Sequence, residues 1–265
     1  MRFSKAHAYG NDFLYVQAAD VAGRAPDAVA RELCDRHTGA GADGLIVWER
    51  AAGGASMRLF NADGSRSEVS GNGVRGLAAL LLRENPSTDE VGITIHSEGG
   101  VKHLVRTGRD GSRQTFRAAM GLPADLRQVD VTAAGERLQV AVMIFGNPQC
   151  VALGTLPDRA RFERLGPALE RHEMFPDRTN VEFAHVEAPD VVRIVIWERG
   201  VGPTTSSGTG SCAALIAAAA FGGASRDAEV IAPGGRQRVE WRDDSVYLTG
   251  WAEVLYDATW RLQGV

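Results

Sequence analysis

The sequence carries one short glycine-containing motif twice, as Ser70-Gly71-Asn72-Gly73 and as Ser207-Gly208-Thr209-Gly210. Each copy stands directly before a long apolar segment, Val74–Arg83 in the first case and Ser211–Phe221 in the second. A glycine-rich turn that begins a helix leaves backbone N–H groups without intrahelical acceptors and presents the positive end of the helix dipole. Such a helix N-terminus is suited to bind an anion. The paired motifs therefore predict two anion sites with a serine at the mouth of each, as in a divided active site.

Other short fragments repeat in the same order and with nearly the same spacing. The further pairs are Gly10-Asn11 with Gly146-Asn147, Arg36-His37 with Arg171-His172, Asp43 with Asn180, and Gly64 with Gly200. Together with the two serines, these pairs have offsets of 135 to 137 positions. The regular offset predicts a duplicated half of roughly 135 residues, which is a domain-sized unit and too long for a solenoid repeat.

Length and composition narrow the class of protein. The 265 residues are 44% apolar and 23% charged, which suits one large or two medium domains with sizeable cores. The net charge of −4 gives no reason to expect a nucleic-acid partner, and no apolar run is long enough for a membrane span. The N-terminus has no signal-peptide pattern, and Cys34, Cys150 and Cys212 have neither metal-ligand spacing nor an obvious pairing. We therefore expect a reduced, cytoplasmic protein, with Cys34 and Cys212 packed in its cores.

Short β-branched segments between Gly, Asp and Pro turns predict strands in both halves. These segments are Leu45–Trp48, Met57–Phe60, Val91–His96, Lys102–Thr107, Gln139–Ile144, Val191–Trp197, Glu229–Ile231 and Val246–Leu248. Amphipathic helices are predicted at Asp27–Arg36 and Leu156–His172, the second with a break at Gly166-Pro167.

The apolar segments after the two motifs are hydrophobic on nearly every face, as in a helix that is buried all round. We therefore expect an α+β fold of two similar halves, each a curved mixed sheet or barrel around a central apolar helix. The helix N-termini would face each other across a cleft. The halves are placed at 1–118 and 119–251, and Gly108–Pro123 is interpreted as a polar, Gly-rich linker.

The repeated fragments also occur in longer motifs that resemble one family. The motifs are Phe3-Ser4-Lys5 with His7, Gly10-Asn11-Asp12-Phe13, Phe60-Asn61-Ala62-Asp63-Gly64-Ser65, Gly71-Asn72-Gly73 with Arg75, Gly146-Asn147-Pro148, Leu165-Gly166-Pro167, His172–Pro176, Arg178–Val181, Trp197–Gly202 and Gly208–Ala213. In this order they resemble the diaminopimelate epimerase family over most of the chain. The resemblance implies the two-domain epimerase fold, with no PLP and no metal. It also implies that a C-terminal strand, at about 252–265, joins the first half.

The resemblance implies a reaction that needs two half-sites. Diaminopimelate epimerases interconvert the LL and meso isomers, a step toward lysine and cell-wall precursors. One base removes the α-proton from one face of the carbon, and one acid returns a proton to the other face. N–H donors at the two helix N-termini would stabilise the charge that spreads onto the α-carboxylate, and closure would exclude water.

The resemblance also assigns site residues. Ser70 and Ser207 occupy the acid/base positions. The substrate-binding positions are Asn11, Asn61, Gly71, Asn72, Asn147, Asn180, Glu198, Arg199, Gly208 and Thr209. Of these, Arg199 is suited to a bidentate grip on a carboxylate. The expected partner is a small amino acid, no nucleic-acid or membrane partner is expected, and a homodimer stays open.

The two serines depart from the family pattern, which has cysteine before each Gly-x-Gly. A thiol has a reference pKa near 8.5, which a helix N-terminus can lower toward neutrality. A serine hydroxyl is far less acidic, and the roughly 0.3–2 kcal/mol of a helix dipole does not close that gap. A serine becomes a useful base only when a partner takes its proton.

Three explanations of the serines compete. They are deliberate Cys→Ser substitution of an active epimerase, a natural lineage in which His7 or His37 is the real base, and a changed reaction on a small carboxylate. Gln149, Gly44 and Pro203 also depart from the family residues His, Gln and Glu. Because an engineer who removed two nucleophiles would not also change these positions, we favour a natural divergent member.

Three functions follow for the chain: a diaminopimelate epimerase, another isomerase of a small amino acid or carboxylate, and a catalytically silent binding protein. A serine hydrolase is disfavoured because neither serine lies in G-x-S-x-G. A dinucleotide-binding protein is disfavoured because neither motif has the G-x-G-x-x-G spacing.

Overall fold

The computed structural model describes residues 1–67, 70–87 and 89–261. Contacts between Cα atoms divide the chain into two compact units. Unit 1 is Met1–Ala118 together with the chain from Gly250 onward, and unit 2 is Ala119–Thr249. Of the C-terminal segment expected at 252–265, positions 262–265 lie outside the described residues.

Strands of unit 1 pair into a closed ring. They are β1 (Arg2–Ala8), β2 (Asn11–Gln17), β3 (Gly44–Ala51), β4 (Gly54–Asn61), β5 (Arg66–Ser67), β6 (Val91–Ser97), β7 (Gly100–Asp110), β8 (Arg113–Ala119) and the second part of β17 (Val246–Thr259). The pairing order is β17, β1, β2, β3, β4, β6, β7, β8 and back to β17, with β5 beside β4. The β2–β3 and β4–β6 pairs are parallel, so each needs a crossover connection.

Helix α3 (Gly71–Leu82) is the crossover between β4 and β6, and it fills the ring of unit 1. It contacts β1, β2, β6 and β7, and every residue from Asn72 to Ala79 is buried. The other crossover holds α1 (Ala18–Val21) and α2 (Pro26–Cys34), and α2 packs on β3 and β4 in a separate apolar cluster that includes Cys34. The helix α3 is apolar on nearly every face because strands surround it.

Unit 2 repeats this arrangement. Its strands are β9 (Ala124–Ala133), β10 (Glu136–Phe145), β11 (Asn147–Leu153), β12 (Asn180–Ala188), β13 (Val191–Glu198), β14 (Gly202–Thr204), β15 (Asp227–Ala232), β16 (Gly235–Trp241) and the first part of β17. The pairing order is β9, β10, β11, β12, β13, β15, β16, β17, with β14 beside β13. Just before β9, the N–H of Met120 donates to the carbonyl of Val246, and the N–H of Val246 donates to the carbonyl of Gly121.

Helix α5 (Gly208–Phe221) is the crossover between the parallel strands β13 and β15. It contacts β10, β11, β12, β13, β15 and β16, and all its residues from Gly210 to Ala218 are buried, Cys212 among them. Complete burial of a leucine or isoleucine such as Leu215 or Ile216 contributes roughly 2 kcal/mol. Helix α4 (Arg159–Glu170) packs on β9, β12 and β13. Within the described ranges, no helix has both the length and the apolar character needed to cross a membrane.

Each unit includes a strand that follows the last strand of the other unit along the chain. The strand β8 of unit 1 leads into β9 of unit 2, and the first part of β17, in unit 2, leads into the second part, in unit 1. The repeated turns also match, because Gly10 between β1 and β2 and Gly146 between β10 and β11 both have positive φ, 86° and 74°. The predicted α+β class, with a mixed sheet around a central apolar helix, is confirmed.

The linker predicted at Gly108–Pro123 is wrong. Residues Gly108–Asp110 continue β7, and Arg113–Ala119 form β8. Gly111 and Ser112 are the turn of a hairpin in which Asp110 pairs with Arg113. Gln114 and Phe116, two residues apart on β8, both point to the buried side. The glycine therefore lies in a tight turn, and the polar residues lie on the outward face of the strands.

The predicted break at Gly166-Pro167 is also wrong, since α4 continues to Glu170 with Pro167 inside it. Gly166 has a packing role: a Cβ there would lie 2.6 Å from the Trp197 indole. The proline removes one helical N–H, and the packing of α4 on the sheet compensates for that loss. The helix begins at Arg159, where the Asp158 side chain caps the N–H of Arg161 at 2.8 Å.

Candidate active site

Ser70 caps the N-terminus of α3 in unit 1. Its backbone is extended, and its Oγ accepts a hydrogen bond from the N–H of Gly73 at 3.2 Å. This is the usual geometry of a serine N-cap. The helix offers no intrahelical acceptor to the N–H groups of Gly71 and Asn72. The first half-site therefore combines a hydroxyl with backbone donors at the positive end of a helix.

Ser207 caps α5 in unit 2 in the same way. Its backbone is extended, and its Oγ accepts from the N–H of Gly210 at 3.1 Å and lies 3.4 Å from Oγ1 of Thr209. Gly208, the first residue of α5, is buried. The methyl group of Thr209 approaches the turn before β11, because it lies 3.7 Å from the position of a Cβ on Gly146. The second half-site thus joins the α5 N-terminus to the Gly146-Asn147 turn.

Two of the predicted substrate-binding asparagines meet beside the α3 N-terminus. Nδ2 of the buried Asn72 donates to Oδ1 of Asn11 at 3.2 Å, and Nδ2 of Asn11 donates to Oδ2 of Asp43 at 2.8 Å. The guanidinium of Arg75, one turn along α3, donates to Oδ1 of Asn72. The structure therefore brings Asn11, Asn72 and Ser70 into one half-site and fixes the amide orientations of both asparagines.

A charged cluster supports the β1–β2 turn behind Asn11. Asp12 Oδ2 lies 2.9 Å from Nζ of Lys5, and Asp12 Oδ1 accepts from Arg36 at 2.7 Å. Arg36 also donates to Asp43 at 2.7 Å. Burial opposes ionisation of Asp12, but the hydrogen bonds and charges of Arg36 and Lys5 outweigh it and lower the pKa of Asp12. The cluster fixes the turn that presents Asn11.

Asn61 is the exposed last residue of β4, and its Nδ2 donates to Oγ of Ser65, in the following turn, at 2.9 Å. The turn is linked to the charged cluster because the N–H of Ala62 donates to the carbonyl of Asp43 at 3.0 Å. Asn61 is thus held by its own turn and is joined to Asn11 through Asp43.

Three amide side chains lie along neighbouring strands of unit 2. Gln149 is fully buried, its Nε2 donates to Oδ1 of Asn147, and it pairs in register with Asn180 across β11 and β12. Oδ1 of the buried Asn180 accepts from the N–H of Arg199 at 2.9 Å. The predicted residues Asn147, Asn180 and Arg199 therefore belong to one connected group.

The Glu198–Gly200 turn at the end of β13 is held by a buried carboxylate that the sequence did not indicate. Glu170 accepts from Nε1 of Trp197 and from the N–H of Gly200, each at 2.9 Å. Burial disfavours its charge, yet these donors and nearby arginines lower the pKa of Glu170. Glu198 is half-buried, while the side chain of Arg199 is exposed and donates to the carbonyl of Asp177 at 3.2 Å. The exposed guanidinium suits the predicted contact with a carboxylate.

Glu182 is a second acidic residue that the sequence analysis missed. It lies in β12 with no exposed surface, and neither carboxylate oxygen has a hydrogen-bond partner among the described residues. Burial, followed by the negative charge of Glu198, raises the pKa of Glu182 well above its ordinary value. An acidic residue between Val181 and Phe183 in a buried strand was the signal that could have identified it.

The two histidines considered as alternative bases have other contacts. Nδ1 of His7 accepts from the N–H of Gly10 at 3.3 Å, Nε2 lies 3.7 Å from Glu253, and the ring packs edge-on against Trp251. His37 is exposed, and its backbone N–H donates to Oδ1 of Asp35. These contacts favour a structural role for His7. Among the residues that the structure describes, no three His, Cys, Asp or Glu side chains are grouped so that they could hold a metal ion.

Comparison with known proteins decides the family. A family model described as diaminopimelate epimerase matches residues 3–130 and 140–255. The chain belongs to the diaminopimelate epimerase family. A diaminopimelate epimerase from Desulforudis audaxviator is 40% identical over 98% of this chain and 99% of its own length. One from Desulfovibrio desulfuricans is 35% identical over 97% of this chain and 96% of its own length.

Solved structures show the same fold at low identity. A probable proline racemase from Agrobacterium radiobacter superposes with a TM-score of 0.74 at 16% identity, over 99% of this chain and 93% of that one. Within the diaminopimelate epimerase family, the two caps described above are the positions where the resemblance places cysteine. In this chain both positions hold serines that cap their helices.

Proposed function

We propose that this chain is a cofactor-independent epimerase that interconverts LL- and meso-diaminopimelate. The proposal would place it in the synthesis of lysine and cell-wall precursors. The observation that carries it is the pair of serine-capped helix N-termini, Ser70 on α3 and Ser207 on α5, in a chain that matches the diaminopimelate epimerase family over nearly its full length.

Inversion at an α-carbon needs one group that removes a proton and another that returns one. In the proposal, Ser70 and Ser207 are the two proton-transfer positions: one removes the α-proton, the other returns a proton to the opposite face, and the roles exchange in the reverse reaction. When the α-proton leaves, its electron pair spreads onto the α-carboxylate. Backbone N–H groups of Gly71, Asn72 and Gly208 and the side chain of Thr209 would stabilise this charge, because preorganised donors act strongly where charge develops.

The remaining predicted residues would bind the substrate's polar groups. Arg199 offers a guanidinium for a carboxylate, and Glu198 offers a carboxylate for an ammonium group. Asn11, Asn147 and Asn180 offer amides whose orientation is fixed by the hydrogen bonds described above. A substrate with two amino-acid ends, such as diaminopimelate, would use all of these groups.

Incubation with LL-diaminopimelate in deuterated water tests the proposal. We expect deuterium at the α-carbon together with formation of the meso isomer, followed by NMR and chiral chromatography. The double variant with Ser70→Cys and Ser207→Cys should be faster, because a thiolate accepts a proton directly. Tight binding in calorimetry without exchange in either protein would instead identify a silent binding protein.

A further inference from the structure

Glu182 is a carboxyl group with no exposed surface at the edge of the apolar cluster around α5. Along β12, Val181 and Phe183 belong to the cluster under α4, while Ala184 belongs to the cluster around α5. Since strand residues alternate in direction, Glu182 points toward α5 with Ala184. The cluster that surrounds α5 is made of aliphatic, Met, Phe and Cys side chains.

The fold does not need a carboxyl group here. An unpaired buried carboxyl costs free energy, and replacing such a group with an apolar one of similar volume is often neutral or stabilising. Unit 1 provides a direct comparison, because its equivalent position on β3 is Ile46, which packs in the apolar cluster around α3. A cost that one unit avoids and the other keeps points to a use for the carboxyl group.

The carboxyl group lies next to the α5 cap. A Cβ on Gly210 would lie 2.6 Å from Oε1 of Glu182 and 3.1 Å from Oγ of Ser207. Both oxygens therefore border the same small space, which stays open because residue 210 has no side chain. The corresponding point at Gly73 in unit 1 lies 2.8 Å from Cδ1 of Ile46, so a methyl group replaces the carboxyl oxygen there.

We propose that Glu182 is the proton partner of Ser207. The inference rests on the proposed epimerase function. As the Cα–H bond of the substrate breaks, its electron pair moves toward the α-carboxylate and the proton bonds to Oγ of Ser207. The original hydroxyl proton of Ser207 leaves Oγ and bonds to a carboxylate oxygen of Glu182. In the reverse direction, the Glu182 carboxyl returns that proton to Ser207, which protonates the carbanion.

The surroundings of Glu182 suit proton transfer from Ser207 and back to it. The ionisable groups that interact with it are Glu198 on β13 and the thiol of Cys150 on β11, and the cluster around α5 also holds the thiol of Cys212. Burial and then the charge of Glu182 raise the pKa of Cys150, so that thiol stays neutral. The raised pKa of Glu182 brings the carboxyl group closer to neutral pH, where a proton donor and acceptor works best. Glu182 reaches the substrate only through Ser207 and is thus a positioning residue.

Four proteins test this role, each carrying Ser70→Cys so that the Ser70 step does not limit turnover: Ser70→Cys alone, and the same variant with Glu182→Gln, with Ser207→Cys, and with both of these changes. Turnover of LL- and meso-diaminopimelate is measured for each. We expect Glu182→Gln to lower kcat at least about 100-fold with KM nearly unchanged, because it removes an acid–base group. In the Ser207→Cys background the same change should lower kcat less than about threefold, since a thiol with a pKa near 8.5 ionises without a partner.

An equal loss of kcat in both backgrounds would show that Glu182 is structural and overturn the proposal. Absence of turnover and of α-proton exchange in both the natural chain and Ser207→Cys would overturn the epimerase function as well, so the two failures are distinct. Glu187→Gln is the matched control, because Glu187 lies on the same strand and pairs with Arg193 at the surface.

A second variant covers the possibility that Glu182→Gln folds poorly. Glu182→Met has similar volume and needs no hydrogen bonds, so its melting temperature should equal or exceed that of the natural chain while kcat falls as in Glu182→Gln. In the Ser70→Cys background, a folded Glu182→Met protein with full activity would overturn the proposal.

Discussion

The two helix N-termini share their capping geometry but differ in what lies beneath them. Each serine Oγ accepts from the N–H three residues on, at 3.2 Å for Ser70 and 3.1 Å for Ser207. Beneath the first cap lies the methyl group of Ile46, and beneath the second lies the carboxyl group of Glu182. The two units thus share the backbone geometry of the cap, while the side chains beneath the caps differ.

The helices differ one turn further along as well. In unit 1, the Tyr15 ring reaches α3, its hydroxyl donates to the carbonyl of Gly73 at 3.0 Å, and Gly76 leaves room for the ring. The equivalent positions in unit 2 are Val151 and Ala213, both buried in the cluster around α5. In unit 1 the large Tyr15 on the strand faces the small Gly76 on the helix. In unit 2 the smaller Val151 faces the larger Ala213. Each core reaches close packing by its own combination.

The largest expected effect concerns the rates of proton transfer at Ser70 and at Ser207. If Ser207 has a proton partner and Ser70 does not, the Ser70 step is the slower one in each turnover. Ser70→Cys should then raise kcat about 100-fold, whereas Ser207→Cys alone should change it far less. Steady-state turnover of diaminopimelate measures both. Ser206→Cys, which adds a thiol next to the second cap, controls for the new thiol itself, and equal gains from the two variants would contradict the asymmetry.

The packing difference gives the next largest effect. A Cβ on Gly76 would lie 2.0 Å from the hydroxyl oxygen of Tyr15, so Gly76→Ala should destabilise the protein by about 3 kcal/mol despite the better helix propensity of alanine. The reverse change in unit 2, Ala213→Gly, should cost only about 1 kcal/mol plus the lost methyl contacts. Urea unfolding measures both. Adding Tyr15→Phe should restore much of the loss in Gly76→Ala, and no recovery would show that the contact is not its cause.

The buried carboxyl predicts a pH dependence that its counterpart Ile46 lacks. The pKa of Glu182 is raised in the folded protein, so the folded state binds a proton more strongly than the unfolded chain. The stabilisation of the folded state by the protonated Glu182 is complete below the ordinary glutamate pKa. It is lost as the pH rises from that value to the pKa of Glu182 in the folded protein. The natural chain should therefore lose up to about 1.4 kcal/mol per pH unit relative to Glu182→Met over that window. Urea unfolding at several pH values tests this, and a constant difference would contradict the raised pKa.

Much of this comparison could be predicted from the sequence because its signals are local. The serine caps, the glycine turns and the all-round apolar helices each depend on a few consecutive residues. The offsets of the repeated fragments added the duplication. The hairpin at Gly111 and the continuous α4 at Pro167 were missed because tertiary packing decided them: strand pairing in one case and the Trp197 ring in the other.

Glu182 shows what local patterns cannot supply. Its position in the sequence marks it only as an acidic residue between apolar neighbours. Its contact with the α5 cap depends on residues about 25 positions apart that meet through the fold. The absence of a partner for its carboxylate, within the described residues, is likewise a property of the packed core. The family resemblance located the serines, but only the packing showed how differently the two are surrounded.

The smallest expected effect tests what the half-sites have in common. Ser70→Ala and Ser207→Ala each remove one capping hydrogen bond and should each destabilise the protein by about 1 kcal/mol. Because the two Oγ–N distances are nearly the same, the two losses should agree within about 0.5 kcal/mol in urea unfolding. Ser→Gly at either position should cost only a few tenths of a kcal/mol, since glycine is itself tolerated at an N-cap. A much larger loss at Ser207 than at Ser70 would mean that the hydroxyl of Ser207 also stabilises the buried Glu182 carboxyl in the resting protein, and the asymmetry would then extend to the cap itself.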